Sequence, residues 1–204
     1  MRRGGPVLVA ALVVTGALAL GCSGEEPGRP GSAKVDVDTA DLQAMKREAG
    51  VADCETGTGE QVDGGLPEVT LPCLGGGPDV HLASLRGPMV VNLWASWCGP
   101  CRQEMPILQG FHEQYGDQVS VLGVDWQDPQ VESAMELVVD SGVTYPLLAD
   151  PDGSLSSIDG MPVRGLPGLV LVDADGDVAF RSLREIESEQ ELVDLVDEHL
   201  GTDL

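Results

Sequence analysis

The chain predicts an α/β sandwich built on a mixed β-sheet. Three observations carry this. The middle of the sequence alternates short apolar runs with segments of helical spacing: Val90 to Trp94, Cys98 to Gln114, Val119 to Asp125, then Gln130 to Ser141. Alternation of this kind builds a sheet covered by helices. Downstream, Leu169 to Asp173 and Val178 to Arg181 flank Ala174-Asp175-Gly176-Asp177, and an Asp-Gly turn between two β-rich runs specifies a hairpin. The chain then closes on a helix, Glu185 to Leu200, with Ile186, Leu192, Val193, Leu195 and Val196 turned toward the sheet.

The elements follow in order. Arg2 and Arg3 precede an uncharged, mostly apolar segment, Val7 to Leu20, which ends in Ala19-Leu20-Gly21-Cys22. A charged start, a short apolar core and a small-residue end are read as a secretory signal rather than as part of the fold. The ending resembles a bacterial lipoprotein signal. That resemblance implies residues 1–21 as the signal peptide, cleavage after Gly21 and lipidation of Cys22. Ala19 stands where leucine is usual, and the competing reading is an uncleaved anchor over Gly4 to Gly24. Residues 22–34, rich in Gly, Pro and Glu, form a flexible tether. An N-terminal extension, residues 35–66, carries a short helix within Val35 to Arg47, with Leu42 and Met45 at helical spacing, and then a Gly-rich irregular stretch. Glu68 to Leu71 and Asp79 to Leu82, split by Leu74-Gly75-Gly76-Gly77-Pro78, predict a β-hairpin entry to the main domain, residues 67–204. Val90 to Trp94 is apolar enough for a central strand covered on both faces. Pro106 predicts a local irregularity in the following helix, and Pro129 suits the start of the next one.

Charge narrows the range of functions. The sequence has 34 acidic and 11 basic side chains, a net charge of -23. Removing residues 1–21 takes away Arg2 and Arg3, leaving 9 basic against 34 acidic and a net charge of -25. Phosphate binding needs a basic surface, so no nucleic-acid partner is expected.

Besides Cys22 there are four cysteines, which allow three disulfide connectivities. An exported compartment lets disulfides persist. Cys98 and Cys101 are adjacent enough to pair, which leaves Cys54 with Cys73. That second closure contributes about 3 kcal/mol in the loop-entropy picture. It is read as a structural disulfide, with a second redox pair relaying to the first as the alternative.

The chemistry centres on Trp97-Cys98-Gly99-Pro100-Cys101. Cys98 falls at the first turn of the predicted helix, where free N–H groups and the helix dipole favour an anion. A thiolate there is both a good nucleophile and a good leaving group. Cys101, one turn later, is expected to be more buried and to resolve a mixed disulfide. Pro100 stiffens the turn, and Trp97 offers an apolar platform for a substrate chain. A metal knuckle would need a second cysteine pair or nearby histidines. The histidines are His81, His112 and His199, and His112 is read as a surface residue far down the same helix. No metal and no cofactor are expected.

The stretch Gly87 to Met105, containing Val91-Asn92-Leu93-Trp94-Ala95-Ser96-Trp97-Cys98-Gly99-Pro100-Cys101, resembles the thioredoxin superfamily. With Glu104, Pro106 and Val163-Arg164-Gly165-Leu166-Pro167, it is most similar to the membrane-tethered TlpA/ResA/DsbE-like branch. The match covers about residues 67 to 200. It implies a thioredoxin-like three-layer sandwich, with the hairpin extension and an extra strand–helix unit around Gly123 to Ser141. It further implies a cis Leu166–Pro167 bond against the cysteine pair, with the Leu166 backbone open to an incoming peptide. Cytoplasmic thioredoxins carry a buried aspartate where this chain has Asn92. The TlpA/ResA-like branch has an acid three residues after the second cysteine, matched by Glu104, which is expected to take the resolving thiol's proton. Trp126 is a candidate for the groove wall or, more simply, a half-buried aromatic.

The function expected is an extracytoplasmic thiol–disulfide oxidoreductase that reduces disulfides of exported proteins, apocytochrome c among them. It would be tethered to the cell membrane and supplied with electrons by a membrane thiol–disulfide donor. Gly99-Pro100 resembles strongly reducing thioredoxins; a disulfide-forming oxidase is the alternative. A thiol peroxidase fits less well, because Ala95 stands where that chemistry uses threonine. A lipoprotein that binds a protein or a copper ion is the non-enzymatic reading.

Overall fold

A computed structural model of the chain describes residues 34–157 and 165–204. The signal segment, Cys22, almost all of the tether, and Val163 and Arg164 lie outside the described residues. Helix α1 (Ala40–Ala49) starts at Thr39, whose hydroxyl accepts from the Leu42 N–H, and stops at Gly50 in the left-handed conformation. Strands β1 (Thr70–Leu71) and β2 (Val80–His81) form the small antiparallel hairpin expected from their turn residues.

The main sheet is built from β3 (Met89–Trp94), β4 (Ser120–Trp126), β5 (Leu147–Asp150), β6 (Gly168–Val172) and β7 (Val178–Ser182), in the order β5-β4-β3-β6-β7. β3, β4 and β5 run parallel. β6 is antiparallel to β3 and β7 to β6, so the sheet is mixed. The turn from β6 to β7 holds Gly176 at φ 97°, and the Asp173 carboxylate accepts from the N–H groups of Asp175, Gly176 and Asp177.

Helices α2 (Gly99–Tyr115), α3 (Val131–Asp140) and α4 (Glu189–Leu200) complete the domain. α4 begins four residues later than its apolar spacing predicts. Ser188 caps it by accepting from the Glu191 N–H, and Ile186 is buried in the extended segment before it. β5 is an element the sequence does not announce: four residues after Pro146, with no alternation.

Two apolar clusters flank the sheet. Val90, Trp94, Val121, Leu169 and Leu171 pack with α2, α3 and α4, and Val37, Leu42 and Val51 of the extension join the same cluster. On the other face Val91, Leu93, Val124, Leu148 and Val170 meet Leu71 and Val80 of the hairpin. β3 is therefore buried along its whole length. Its C-terminal end leads through a short loop to Cys98 and the start of α2.

Candidate functional site

Cys98 is the N-cap of α2, with extended backbone (φ -85°, ψ 107°), and its Sγ accepts from the Cys101 N–H at 3.2 Å. A negative charge on this sulfur would therefore be stabilised by a helix N-terminal donor. Pro100 occupies the first turn, where the missing N–H costs nothing. Cys98 and Cys101 form a disulfide. Cys98 keeps 4% of its surface exposed and Cys101 none, which separates an attackable sulfur from a buried one.

The loop before Cys98 is held from two sides. The Ser96 N–H donates to the buried Asp128 carboxylate at 2.7 Å, and the Ser96 carbonyl accepts from Arg102 Nε and Nη2 at 3.0 and 2.7 Å. Trp97 is half-exposed, and its indole N–H donates to the Gln127 carbonyl at 3.2 Å. Over Gly99 a Cβ would meet no described atom within 4 Å. The Leu166–Pro167 bond is cis. Since Gly168 pairs with Leu93, these two residues stand at the end of the sheet that carries the cysteines. Leu166 packs on the apolar cluster that contains Cys98 and Cys101.

Glu104, one turn beyond Cys101, is buried. Its carboxylate accepts from Asn92 Nδ2 and from the Ile186 N–H at 3.0 Å. Burial pushes its pKa up to about 7, against the lowering effect of these two hydrogen bonds. The i, i+3 spacing puts it on the same side of α2 as Cys101. Asn92, in the central strand, serves as Glu104's hydrogen-bond donor.

Three buried acids, Asp125, Asp128 and Asp150, do not stand out in the sequence. Asp125 lies on β4 opposite Trp94, and neither carboxylate oxygen has a hydrogen-bond partner among the described residues. Burial, and then the charge of Asp128, hold its pKa well above the ordinary range. The available signal was an acid inside an otherwise apolar strand. His112 differs from its expected surface position: it is half-buried, edge-on to the fully buried Tyr145, and burial lowers its pKa. Trp126 is buried. Cys54 and Cys73 are joined by a disulfide.

A mixed sheet that presents a cysteine pair at a helix N-terminus, with a cis-proline at the same sheet end, defines a thioredoxin-like redox protein. The chain belongs to the AhpC/TSA family, which it matches over residues 62–181. It is 34% identical over 117 residues to the thiol:disulfide interchange protein HelX of Rhodobacter capsulatus, covering 56% of this chain and 64% of that one. Over 134 residues it is 34% identical to the thiol:disulfide interchange protein DsbE of Allochromatium vinosum, covering 63% of this chain and 70% of that one. Among solved structures, a DsbF homologue from Corynebacterium diphtheriae superposes with a TM-score of 0.57 at 28% identity, covering 73% of this chain and 99% of that one. The match thus spans just under two thirds of HelX. Among the described residues no helix is long and apolar enough to cross a membrane.

Proposed function

We propose that the chain is a thiol–disulfide oxidoreductase that reduces disulfides of exported proteins, including apocytochrome c. In this reading it is held at the outer face of the cell membrane by a lipid on Cys22. The observation that carries the activity is the helix-capping Cys98 paired with the buried Cys101, with buried Glu104 one turn further on. The names of HelX and DsbE support the same class of reaction. The exported location rests on the signal-like start and on the two disulfides.

In the reduced protein the Cys98 thiolate attacks one sulfur of the substrate disulfide, and the other substrate sulfur leaves as a thiolate. Glu104 takes the Cys101 proton, and the Cys101 thiolate attacks Cys98 Sγ. This closes the Cys98–Cys101 disulfide and releases the second substrate thiol. Two electrons have passed to the substrate, and a membrane thiol–disulfide donor returns them. Trp97, Gly99, Pro100, Leu166 and Pro167 form the surface on which the substrate backbone lies. Peroxidase chemistry is disfavoured by Ala95, which offers no hydroxyl beside the cysteine.

The test is trapping. A Cys101→Ser protein, incubated reduced with a disulfide-bonded peptide, accumulates a mixed disulfide at Cys98, and Cys98→Ser abolishes turnover. Undiminished turnover in Cys98→Ser protein would contradict the assignment.

A further inference from the structure

Away from the Cys98 site, the Cys54–Cys73 bond sits in surroundings shaped for its reduced form. Lys46, in the last turn of α1, is buried. Its ammonium has three protons and three partners: the Gly76 carbonyl at 2.7 Å, Asp53 Oδ1 at 3.1 Å, and Cys73 Sγ at 3.4 Å. A disulfide sulfur is a weak acceptor, whereas a thiolate is a strong one, and a buried ammonium is costly unless its partners are good. The other sulfur faces an acceptor instead of a donor, and this too favours the reduced form. Cys54 Sγ lies 3.2 Å from the Leu147 carbonyl oxygen, an acceptor to which a disulfide has no proton to give and a thiol has one.

Access is comparable to that of the other pair. Cys54 is 4% exposed, the same fraction as Cys98. Gly75, Gly76 and Gly77, all at positive φ, carry the chain past Cys73. A Cβ on Gly77 would lie 3.2 Å from Cys73 Sγ and 3.7 Å from Lys46 Nζ. The glycine run and Lys46 instead line a cleft of about 570 Å³.

We infer that Cys54–Cys73 is a second thiol–disulfide exchange site, with Cys54 the sulfur attacked by an exported dithiol and Cys73 the thiolate that leaves onto Lys46. A donor thiolate attacks Cys54 Sγ, the Cys54–Cys73 bond breaks, and its electron pair stays on Cys73 beside the ammonium. The second donor thiolate closes the donor disulfide and expels Cys54, which takes a proton and donates it to the Leu147 carbonyl. Two electrons move from dithiol to disulfide. Of the donor's two thiol protons, one ends on Cys54 and one goes to water. Reduction also unties the extension from the segment that pairs Cys73 with Leu148 at the sheet edge.

The full chain is equilibrated at pH 7 over graded ratios of reduced to oxidised glutathione, quenched in acid and differentially alkylated, and each cysteine is read by mass spectrometry. Cys54 and Cys73 are expected to become half-reduced within the series. Lys46→Met is expected to require at least a tenfold larger [GSH]²/[GSSG], about 30 mV, while Lys46→Arg stays within threefold of wild type. Cys98 and Cys101, read in the same digests, do not shift with Lys46. A Cys54–Cys73 bond that stays oxidised at every ratio overturns the inference and leaves the Cys98 assignment standing, as does a shift under twofold in folded Lys46→Met. A measurement independent of the variants is the alkylation rate of reduced wild type against pH. Cys73 is expected to reach half its maximal rate at least one pH unit below Cys54, and equal midpoints overturn the inference.

Discussion

Glu104 ties α2 to the central strand and to the segment before α4, accepting from Asn92 and from the Ile186 N–H. Its folded pKa of about 7 stands above the ordinary value of 4.5, so the folded chain holds a proton that the unfolded chain has already lost. Stability therefore falls as the pH rises from about 4.5 through about 7, and Glu104 adds no further slope above that; its share is about 3 kcal/mol. Asp125, also raised by burial, acts in the same direction. Glu104→Gln is expected to remove Glu104's part of the slope in denaturant titrations of the oxidised protein between pH 4.5 and 8, leaving that of Asp125. The same change is expected to slow release of substrate from the Cys98 mixed disulfide on the order of 100-fold near neutral pH. An unchanged release rate in single-turnover experiments would take Glu104 out of the reaction.

At the scale of elements, the central strands leave no spare volume behind the site. A Cβ on Gly123 of β4 would lie 2.5 Å from Leu147 Cδ2, 3.0 Å from Trp94 Nε1 and 3.3 Å from Tyr145 Cε2. All three neighbours are buried. Gly123→Ala is expected to cost about 1–3 kcal/mol, seen as a lower denaturant midpoint at unchanged m. How much of this architecture shows in the sequence depends on how local each signal is. The Cys98–Cys101 pair, the apolar β3 and the Asp-Gly hairpin were legible because their determinants lie within a few residues. β5 was not, because a four-residue strand after Pro146 has no periodicity to detect. The start of α4 was misplaced because Ile186 has helical spacing but serves an extended segment. Its N–H reaches Glu104, 82 residues away. Nothing in the sequence sets Lys46 apart, because only the fold brings Cys73, 27 residues on, beside it.

At the scale of the whole molecule, a net charge of -23 on 204 residues sets a field that acts on encounter more than on chemistry. Peptide disulfides flanked by lysines are expected to be reduced on the order of tenfold faster than glutamate-flanked ones at low salt. The gap should close near 0.5 M salt, roughly the regime where the Debye length falls well below 10 Å. A salt-independent ratio in stopped-flow rates would show that local contacts, not the field, select the substrate. The central claim is that the Cys98–Cys101 pair works as a reductant, and its reduction potential, measured against a dithiothreitol or glutathione series, tests this most directly. A value near about -270 mV is expected for a thioredoxin-like reductant; a value near about -120 mV, that of a strong oxidant, would contradict it.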